Sequence, residues 1–252
     1  MARLIILGSA AAVSDATHDN THFLLLGDHG SVVLVDCGSN PAVKLARYGI
    51  DHEGLIDMIL THFHPDHVYG VPILLMQMWL LGRKRPLNVY GLHHCLSRVE
   101  GMLTAFMVDT WPGFPSLVFH RLPERHDVLV LDNDDFRITS WPTRHFIPTV
   151  GLRIEVKTSG KVIGYSCDTE PIPTIVEIGR DADLLLHEAA GAGYGHSSAA
   201  QAGEIATEAR AKRLALIHYN VWNTDPRPLL DEARTTYDGP VELAEDYMEY
   251  EI

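Results

Sequence analysis

The stretch Thr61-His62-Phe63-His64-Pro65-Asp66-His67 is the most informative part of the sequence. Its three histidines and one aspartate place four potential metal ligands within six residues, at positions 62 to 67. The apolar run Ile56–Leu60 before it predicts a buried strand, and Pro65-Asp66 predicts a turn or the start of a helix. A lone histidine is usually structural, but this spacing of imidazoles and a carboxylate is typical of a metal centre.

Other histidine and aspartate residues follow the ends of other predicted strands. Together with His62, they are His145, Asp168, His187 and His218. Ligands and catalytic groups collect at the carboxyl ends of strands in α/β proteins. We therefore expect these side chains to meet at one edge of the fold and to form a metal site.

The donor set suits two divalent cations bridged by a carboxylate. The predicted ligands are His62, His64 and His145 for one ion, Asp66, His67 and His218 for the second, and Asp168 as the bridge. Imidazole-rich sets with a few carboxylates suit zinc, with manganese or iron as alternatives. Two ions about 3.5–4 Å apart can hold a bridging hydroxide and clamp the attacking and leaving oxygens.

Composition narrows the class of protein. The chain has 252 residues, of which 46% are hydrophobic and 21% charged, and this predicts a globular protein of one large domain or two small ones. No segment has the composition of a linker, so we expect a single domain over residues 1–252. A formal net charge of −13 argues against a broad nucleic-acid surface. It still permits a small anionic substrate, because bound metal ions can outweigh the global field.

The cysteines indicate no disulfide framework. Cys37, Cys95 and Cys167 are odd in number and widely spaced, which fits a reducing compartment. We interpret them as small buried residues, with a metal role for Cys167 beside Asp168 as the alternative.

No segment predicts contact with a membrane. The apolar N-terminal run Leu4–Leu7 predicts a first strand that ends at Gly8, in preference to a signal peptide. The longest apolar run, Val71–Leu81, is too short to span a bilayer and predicts a buried helix. We therefore expect a cytoplasmic protein.

Each half of the chain is rich in strands first and contains helices later. This order predicts an α/β fold, a four-layer αββα sandwich with two sheets face to face and helices outside. Hairpins are expected around residues 132–135 and 159–160, and a terminal hairpin is expected from Val241–Ala244 and Tyr247–Ile252. A helix over Ala199–Arg210 is expected to begin with a capping box.

Three features allow two interpretations each. Asp36 either forms a turn or supports the metal site from behind its ligands. The basic segment 82–86 either complements a helix dipole or attracts an anionic substrate. The aromatic segment Trp111–Phe114 either packs locally or covers the substrate, and with Val71–Leu81 it offers apolar surface for a homodimer.

The complete pattern resembles the metallo-β-lactamase superfamily, and within it most closely ribonuclease Z and its relatives. The resemblance depends on four segments: Thr61–Pro72, Gly82–Gly91, Asp181–Ala189 and Gly195–Ala202. The resemblance implies the metal ligands already assigned. It also implies that His196 is the general acid or transition-state stabiliser, that Glu188 orients His196, and that Asp66 helps to activate water. His196 lies just before a predicted helix start, where an anion such as phosphate is favoured.

Two departures from this family bear on the substrate. Only residues 146–167 separate His145 from Asp168, where tRNA-processing members carry a long arm that grips tRNA. The family also follows its last metal histidine with a serine and an Arg-Tyr pair, whereas this chain has His218-Tyr219-Asn220-Val221-Trp222. RNA is therefore disfavoured as a substrate.

These observations predict a dinuclear phosphodiesterase that hydrolyses a small phosphodiester or cyclic nucleotide by metal-hydroxide attack. One alternative is a ribonuclease Z-type tRNA 3′ endonuclease. Another is a lactone, ester or thioester hydrolase on the same metal site, because the same hydroxide can attack a carbonyl. A metal-binding protein without activity is disfavoured because all the ligands are present.

Overall fold

Two seven-stranded sheets lie face to face at the centre of the structure, a computed structural model that describes residues 1–252. The first sheet contains β1 (Arg3–Gly8), β2 (His22–Leu26), β3 (Val32–Val35), β4 (Asp57–Ile59), β5 (Leu87–Leu92), β6 (Leu117–Leu122) and β14 (Glu249–Glu251). The second contains β7 (Val128–Asp132), β8 (Phe136–Pro142), β9 (Val150–Val156), β10 (Val162–Tyr165), β11 (Leu184–Ala189), β12 (Leu214–Tyr219) and β13 (Val241–Leu243).

Helices cover the outer face of each sheet, so the predicted αββα sandwich is confirmed. The helices are α1 (Pro41–Arg47), α2 (Pro65–Val68), α3 (Val71–Leu80), α4 (His93–Ala105), α5 (Pro173–Gly179), α6 (Ala199–Ala209) and α7 (Pro228–Arg234). One apolar core lies between the sheets, a second joins the first sheet to α1, α3 and α4, and a third joins the second sheet to α5, α6 and α7. None of these helices has the length and apolar character needed to cross a bilayer.

Strand direction explains why functional residues can meet. In the first sheet β3, β4, β5 and β6 are parallel to one another. In the second sheet β10, β11 and β12 are parallel, and β8 runs in the same direction because β9 is antiparallel to both of its neighbours. The carboxyl ends of β8, β10, β11 and β12 therefore lie at one edge.

The predicted terminal hairpin is wrong. β13 pairs in parallel with β12 in the second sheet, and β14 pairs antiparallel with β1 in the first. The two strands follow each other along the chain but belong to different sheets. A turn signal in the sequence shows where a strand stops, but it does not show which strand will pair with it in a sheet. The two internal hairpins, β7–β8 and β9–β10, form as predicted.

The edge strand β6 has no counterpart in the sequence prediction. It pairs in parallel with β5, and its residues alternate only weakly between exposed and half-buried positions. Its central His120 and Arg121 are polar. A strand at an edge with little burial produces no clear period of two, so its pairing is visible only in the structure.

The basic segment 82–86 is structural at its centre. The guanidinium of Arg83 is buried and donates hydrogen bonds of 2.6–2.8 Å to backbone carbonyls. The acceptors are the carbonyl oxygens of His52, Leu55, Arg85 and Pro86. Arg83 is therefore committed to holding the segments around α3 and β5 together, and it presents no charge to a substrate.

Candidate metal centre and active site

All seven predicted metal ligands converge at one edge of the sandwich. Three connections supply four of them: His62 and His64 lie in the β4–α2 connection, His145 in the β8–β9 connection, and Asp168 in the β10–α5 connection. Two elements supply the rest: Asp66 and His67 lie in α2, and His218 in β12. His218 lies inside its strand, one residue before the end, and not beyond it as predicted. Its φ of 51° turns the chain at this point.

The first group of ligands contains three imidazoles and one carboxylate. Nδ1 of His64 lies 3.1 Å from Nε2 of His62 and 3.0 Å from Nε2 of His145. Oδ2 of Asp168 lies 3.8 Å from the His62 nitrogen and 3.6 Å from the His145 nitrogen. Donor atoms of a tetrahedral zinc site, each about 2.0–2.1 Å from the ion, are about 3.3 Å apart. These nitrogens and this oxygen therefore have the spacing of one coordination shell.

The second group shares Asp168 with the first. Oδ2 of Asp66 lies 3.6 Å from Nε2 of His67 and 3.5 Å from Nε2 of His218. Asp168 directs Oδ1 towards His67 at 3.6 Å and Oδ2 towards His218 at 3.4 Å. The carboxylate of Asp168 thus lies between the two groups, which is the position required of a bridge.

Four buried polar atoms in these groups have no hydrogen-bond partner. One is Nδ1 of His218, and the other three, Nε2 of His67, Oδ1 of Asp168 and Nε2 of His218, face other predicted ligands. An unsatisfied buried polar atom costs about 1–3 kcal/mol, and these last three atoms point towards the neighbouring ligands. This arrangement, together with the imidazole and carboxylate chemistry, fits divalent cations.

Asp36 supports the site from behind its ligands. Its buried carboxylate accepts a hydrogen bond of 2.9 Å from Nδ1 of His67, and it also accepts from the backbone N–H and hydroxyl of Thr61. Burial opposes a charge on His67, but Asp168 and Asp36 outweigh it and raise the pKa of His67 to about 10. Asp36 also has a φ of 62°, so it both forms the turn and orients the histidine.

We expect the Asp36→Asn variant to bind metal about 10- to 100-fold more weakly. Asparagine tolerates the left-handed backbone. However, His67 and the backbone N–H of Thr61 use different oxygens of Asp36, and asparagine replaces one of the two with an amide NH2 group that cannot accept. Zinc affinity, measured by competition with a chromophoric chelator, tests this expectation. The exposed Asp134→Asn variant serves as the control. An unchanged zinc affinity in Asp36→Asn would show that Asp36 serves only the turn.

His196 and Glu188 form a pair beside the second group. Oε1 of the fully buried Glu188 accepts a hydrogen bond of 2.9 Å from Nδ1 of His196. Burial opposes a charge on His196, but the hydrogen bond and charge of Glu188 outweigh it and raise the pKa of the imidazole. The His196 ring stacks on His218 with centroids 5.7 Å apart, and it remains partly open to solvent. His196 is therefore oriented by Glu188 and available to a substrate.

Backbone N–H groups hold Glu188 in place. Those of Thr169 and Ser197 donate to Oε1, and that of Ala190 donates to Oε2. Burial raises the pKa of Glu188, whereas the hydrogen bonds from His196 and from these N–H groups favour the ionised carboxylate. Helix α6 begins at the Ser198 N-cap with the predicted capping box, in which Gln201 is the partner. His196 consequently lies two residues before a helix N-terminus, where backbone dipoles favour an anion.

His187 does not join the ligand groups, whereas Cys167 lies beside the histidines of both. His187 is buried inside β11, and its Nδ1 is hydrogen-bonded to the carbonyl oxygen of Glu188. Cys167 is buried, with Sγ 3.7 Å from Nδ1 of His62, on the opposite side of the ring from the His64 contact. Burial raises the pKa of the Cys167 thiol, and its Sγ lies together with nitrogens of His62 and His67 in a group that could hold a metal ion. His187 therefore has a packing role, and Cys167 is a buried residue within reach of the predicted ligands His62 and His67.

Sequence reasoning missed two aromatic residues on the rim. Phe146 follows His145 directly, and Tyr194 lies in the glycine-containing connection before His196. Both side chains are largely exposed, and their rings contact each other. The sequence signal for Phe146 was its position next to the predicted ligand His145. No sequence signal pointed to Tyr194.

Known proteins resemble this chain over its whole length. Ribonuclease Z of Methanothermobacter thermautotrophicus is 26% identical, over 100% of this chain and 97% of the relative. The metallo-β-lactamase fold protein YhfI from Bacillus subtilis superposes with a TM-score of 0.81 at 24% identity, with 100% of both chains covered. Human tRNase Z, short form, superposes with a TM-score of 0.74 at 24% identity, with 99% of both chains covered.

The sandwich, its edge of histidines and aspartates, and these relatives define a metal-dependent hydrolase of the metallo-β-lactamase fold, similar to ribonuclease Z. The predicted resemblance is therefore confirmed. The model of the family described as Anti-Pycsar protein Apyc1 matches residues 2–233, and the chain belongs to this family. In place of a long arm, the β9–β10 hairpin alone connects His145 to Asp168.

Proposed function

We propose that the protein is a dinuclear phosphodiesterase for a small phosphodiester, such as a cyclic nucleotide. The observation that carries this proposal is the His196–Glu188 pair beside the second ligand group. A carboxylate-oriented imidazole just before a helix N-terminus suits the leaving side of a phosphodiester, where an alkoxide must be protonated next to an anionic group.

Seven side chains would hold the two ions. We assign His62, His64 and His145 to one, Asp66, His67 and His218 to the other, and Asp168 to both. Zinc suits this donor set best, and manganese and iron are the alternatives. When bound, such ions lower the pKa of a water molecule and neutralise charge on phosphate oxygens.

The protein's own residues would manage the protons. Water adds to phosphorus, and the bond from phosphorus to the ribose or alkyl oxygen breaks. Asp66, whose Oδ2 faces His67 and His218 in the second group, would accept a proton from the attacking water. His196 would donate the proton on Nε2 to the leaving oxygen, because its Nδ1 is engaged by Glu188 at 2.9 Å. The Glu188 carboxylate stabilises the protonated imidazole that this step requires.

The absence of an arm supports a small substrate. Residues 146–167 form one hairpin and its flanking connections, and this leaves no extension that could reach the body of a tRNA. The net charge of −13 also disfavours a long polyanion held by the protein surface. We also propose a homodimer. Leu80 and Leu81 at the end of α3 are 67% and 63% exposed, and a second copy of the chain could cover them.

One observation favours a second function, tRNA 3′ processing. The curated relatives named ribonuclease Z match this chain at 26–29% identity along nearly their full length. That activity needs the same metal chemistry but a larger binding surface, and this difference makes the two functions separable by substrate.

A substrate panel tests the proposal. Protein stripped of metal and reloaded with zinc or manganese is assayed on 3′,5′-cyclic nucleotides, bis(p-nitrophenyl) phosphate, a pre-tRNA, a lactone and a thioester. We expect turnover of the cyclic nucleotides and no cleavage of the pre-tRNA, with the stripped protein inactive on all. A higher kcat/KM for pre-tRNA would favour the ribonuclease function, and activity on the lactone or thioester alone would refute phosphodiester specificity.

A further inference from the structure

Two exposed aromatic rings border the metal-ligand groups. Phe146 is 53% exposed and Tyr194 is 69% exposed, and their ring centroids are 5.0 Å apart. The centroid of Phe146 also lies 5.0 Å from that of His145 and 6.0 Å from that of His196. We call Phe146 and Tyr194 the aromatic ledge. It thus lies within one ring contact of a predicted ligand and of the predicted acid.

Contacts in the backbone fix the ledge to the site. Nδ1 of His145 is hydrogen-bonded to the carbonyl oxygen of Gly195 at 2.7 Å, and the N–H of Gly195 donates to Glu170 at 3.1 Å. Gly195 has a φ of 79°, and a Cβ there would lie 3.0 Å from both His145 and Phe146. The glycine therefore lets Phe146 pack against the connection that carries Tyr194.

Core packing does not explain these rings. Single exposed apolar side chains are ordinary, but here two aromatic rings meet each other and adjoin the ligand groups while leaving most of their surface in solvent. An open π-surface beside a phosphate-binding region suits a planar ring carried by the substrate. Stacking of a base on an aromatic side chain changes affinity by about 10- to 100-fold and tolerates every base, since each base has a π-face.

We propose that the aromatic ledge stacks the base of a nucleotide phosphodiester and selects such substrates over phosphodiesters that lack a base. This inference rests on the proposed phosphodiesterase function and specifies its substrate class. Because the ledge offers ring faces in place of a pattern of donors and acceptors, it accepts purines and pyrimidines alike. Selectivity then comes from the presence of a base and not from its identity.

The test uses two substrates that differ only in the base. They are adenosine 3′,5′-cyclic phosphate and 1-O-methylribose 3′,5′-cyclic phosphate. Phe146→Leu and Tyr194→Leu keep apolar volume but remove the π-face, and the double variant removes both rings. We expect the double variant to lose about 10- to 100-fold in kcat/KM on the nucleotide, chiefly through KM, and less than about threefold on the base-free ester.

Phe106→Leu provides a matched control, because Phe106 is 56% exposed and has no ring contact with the ligand histidines. Equal losses on both substrates, or no loss on the nucleotide, would overturn the ledge as a base platform. Binding of AMP and of ribose 5-phosphate by zinc-loaded protein, measured by calorimetry, separates this inference from the proposed function. If the wild type binds AMP more tightly than ribose 5-phosphate, the double variant does not, and no substrate is turned over, only the phosphodiesterase proposal is refuted. If the wild type binds AMP no more tightly than ribose 5-phosphate, the ledge proposal is refuted.

Discussion

The Asp168→Ala variant is expected to lose both metal ions and to hydrolyse phosphodiesters at least about 1,000-fold more slowly. Asp168 is the only residue whose two carboxylate oxygens face both ligand groups, with separations of 3.4–3.8 Å from four histidine nitrogens. Removing it takes one donor from each group at once. No other single substitution in the cluster removes a predicted ligand from both groups.

Metal content and thermal stability check this expectation together. Wild-type protein should bind two zinc ions per chain and melt at a higher temperature with zinc than with EDTA, because a ligand that binds only the folded state stabilises it. Asp168→Ala should lack both the zinc and the zinc-dependent shift. The exposed Asp238→Ala variant should match the wild type. A variant at position 168 that keeps two ions and a tenth of the activity would refute the bridging role.

The His196→Ala variant is expected to keep its metal ions but to lose about 100- to 10,000-fold in kcat, the usual contribution of a general acid. The loss should depend on the leaving group. A cyclic nucleotide expels an alkoxide that needs a proton, whereas bis(p-nitrophenyl) phosphate expels a stable phenolate that needs much less help. We therefore expect the full loss on the first substrate and a much smaller one on the second.

Glu188→Gln separates orientation from proton donation. Glutamine keeps the size of the side chain but removes the charge that stabilises protonated His196, so its kcat on the cyclic nucleotide should fall by about 10- to 100-fold. His126→Ala changes an exposed histidine outside the cluster, and this variant should hydrolyse both substrates as fast as the wild type. Equal losses on the two substrates in His196→Ala would contradict the acid role and would indicate a binding role in its place.

The sequence predicted the site better than it predicted the edges of the fold. Each ligand is recognisable because its chemistry is local: imidazoles at short spacing in His62–His67, or one histidine or aspartate after an apolar strand. The internal hairpins and the capping box at Ser198 are local too, and they form as predicted. The roles of His196 and Glu188 came from resemblance to a family, and the hydrogen bond between them agrees with those roles.

Errors arose where the answer depended on a distant partner. β13 and β14 are neighbours in the chain, yet they pair with β12 and β1, and a turn signal cannot show this. The sequence left the basic segment around Arg83 open between complementing a helix dipole and attracting an anionic substrate. The structure gives Arg83 backbone carbonyl acceptors contributed by two separate segments of the chain, and only a folded arrangement brings those together.

By itself, the sequence determined the layered α/β class, the kinds of donor atom and their order along the chain, because these follow from hydrophobic periodicity and side-chain chemistry. Tertiary structure alone decided that Asp168 lies between two ligand groups and that Asp36 lies behind His67. It also decided that Phe146 meets Tyr194 beside the site. Such relations depend on strand direction and on which ends share an edge, and the energy that selects them comes from packing across the whole sandwich.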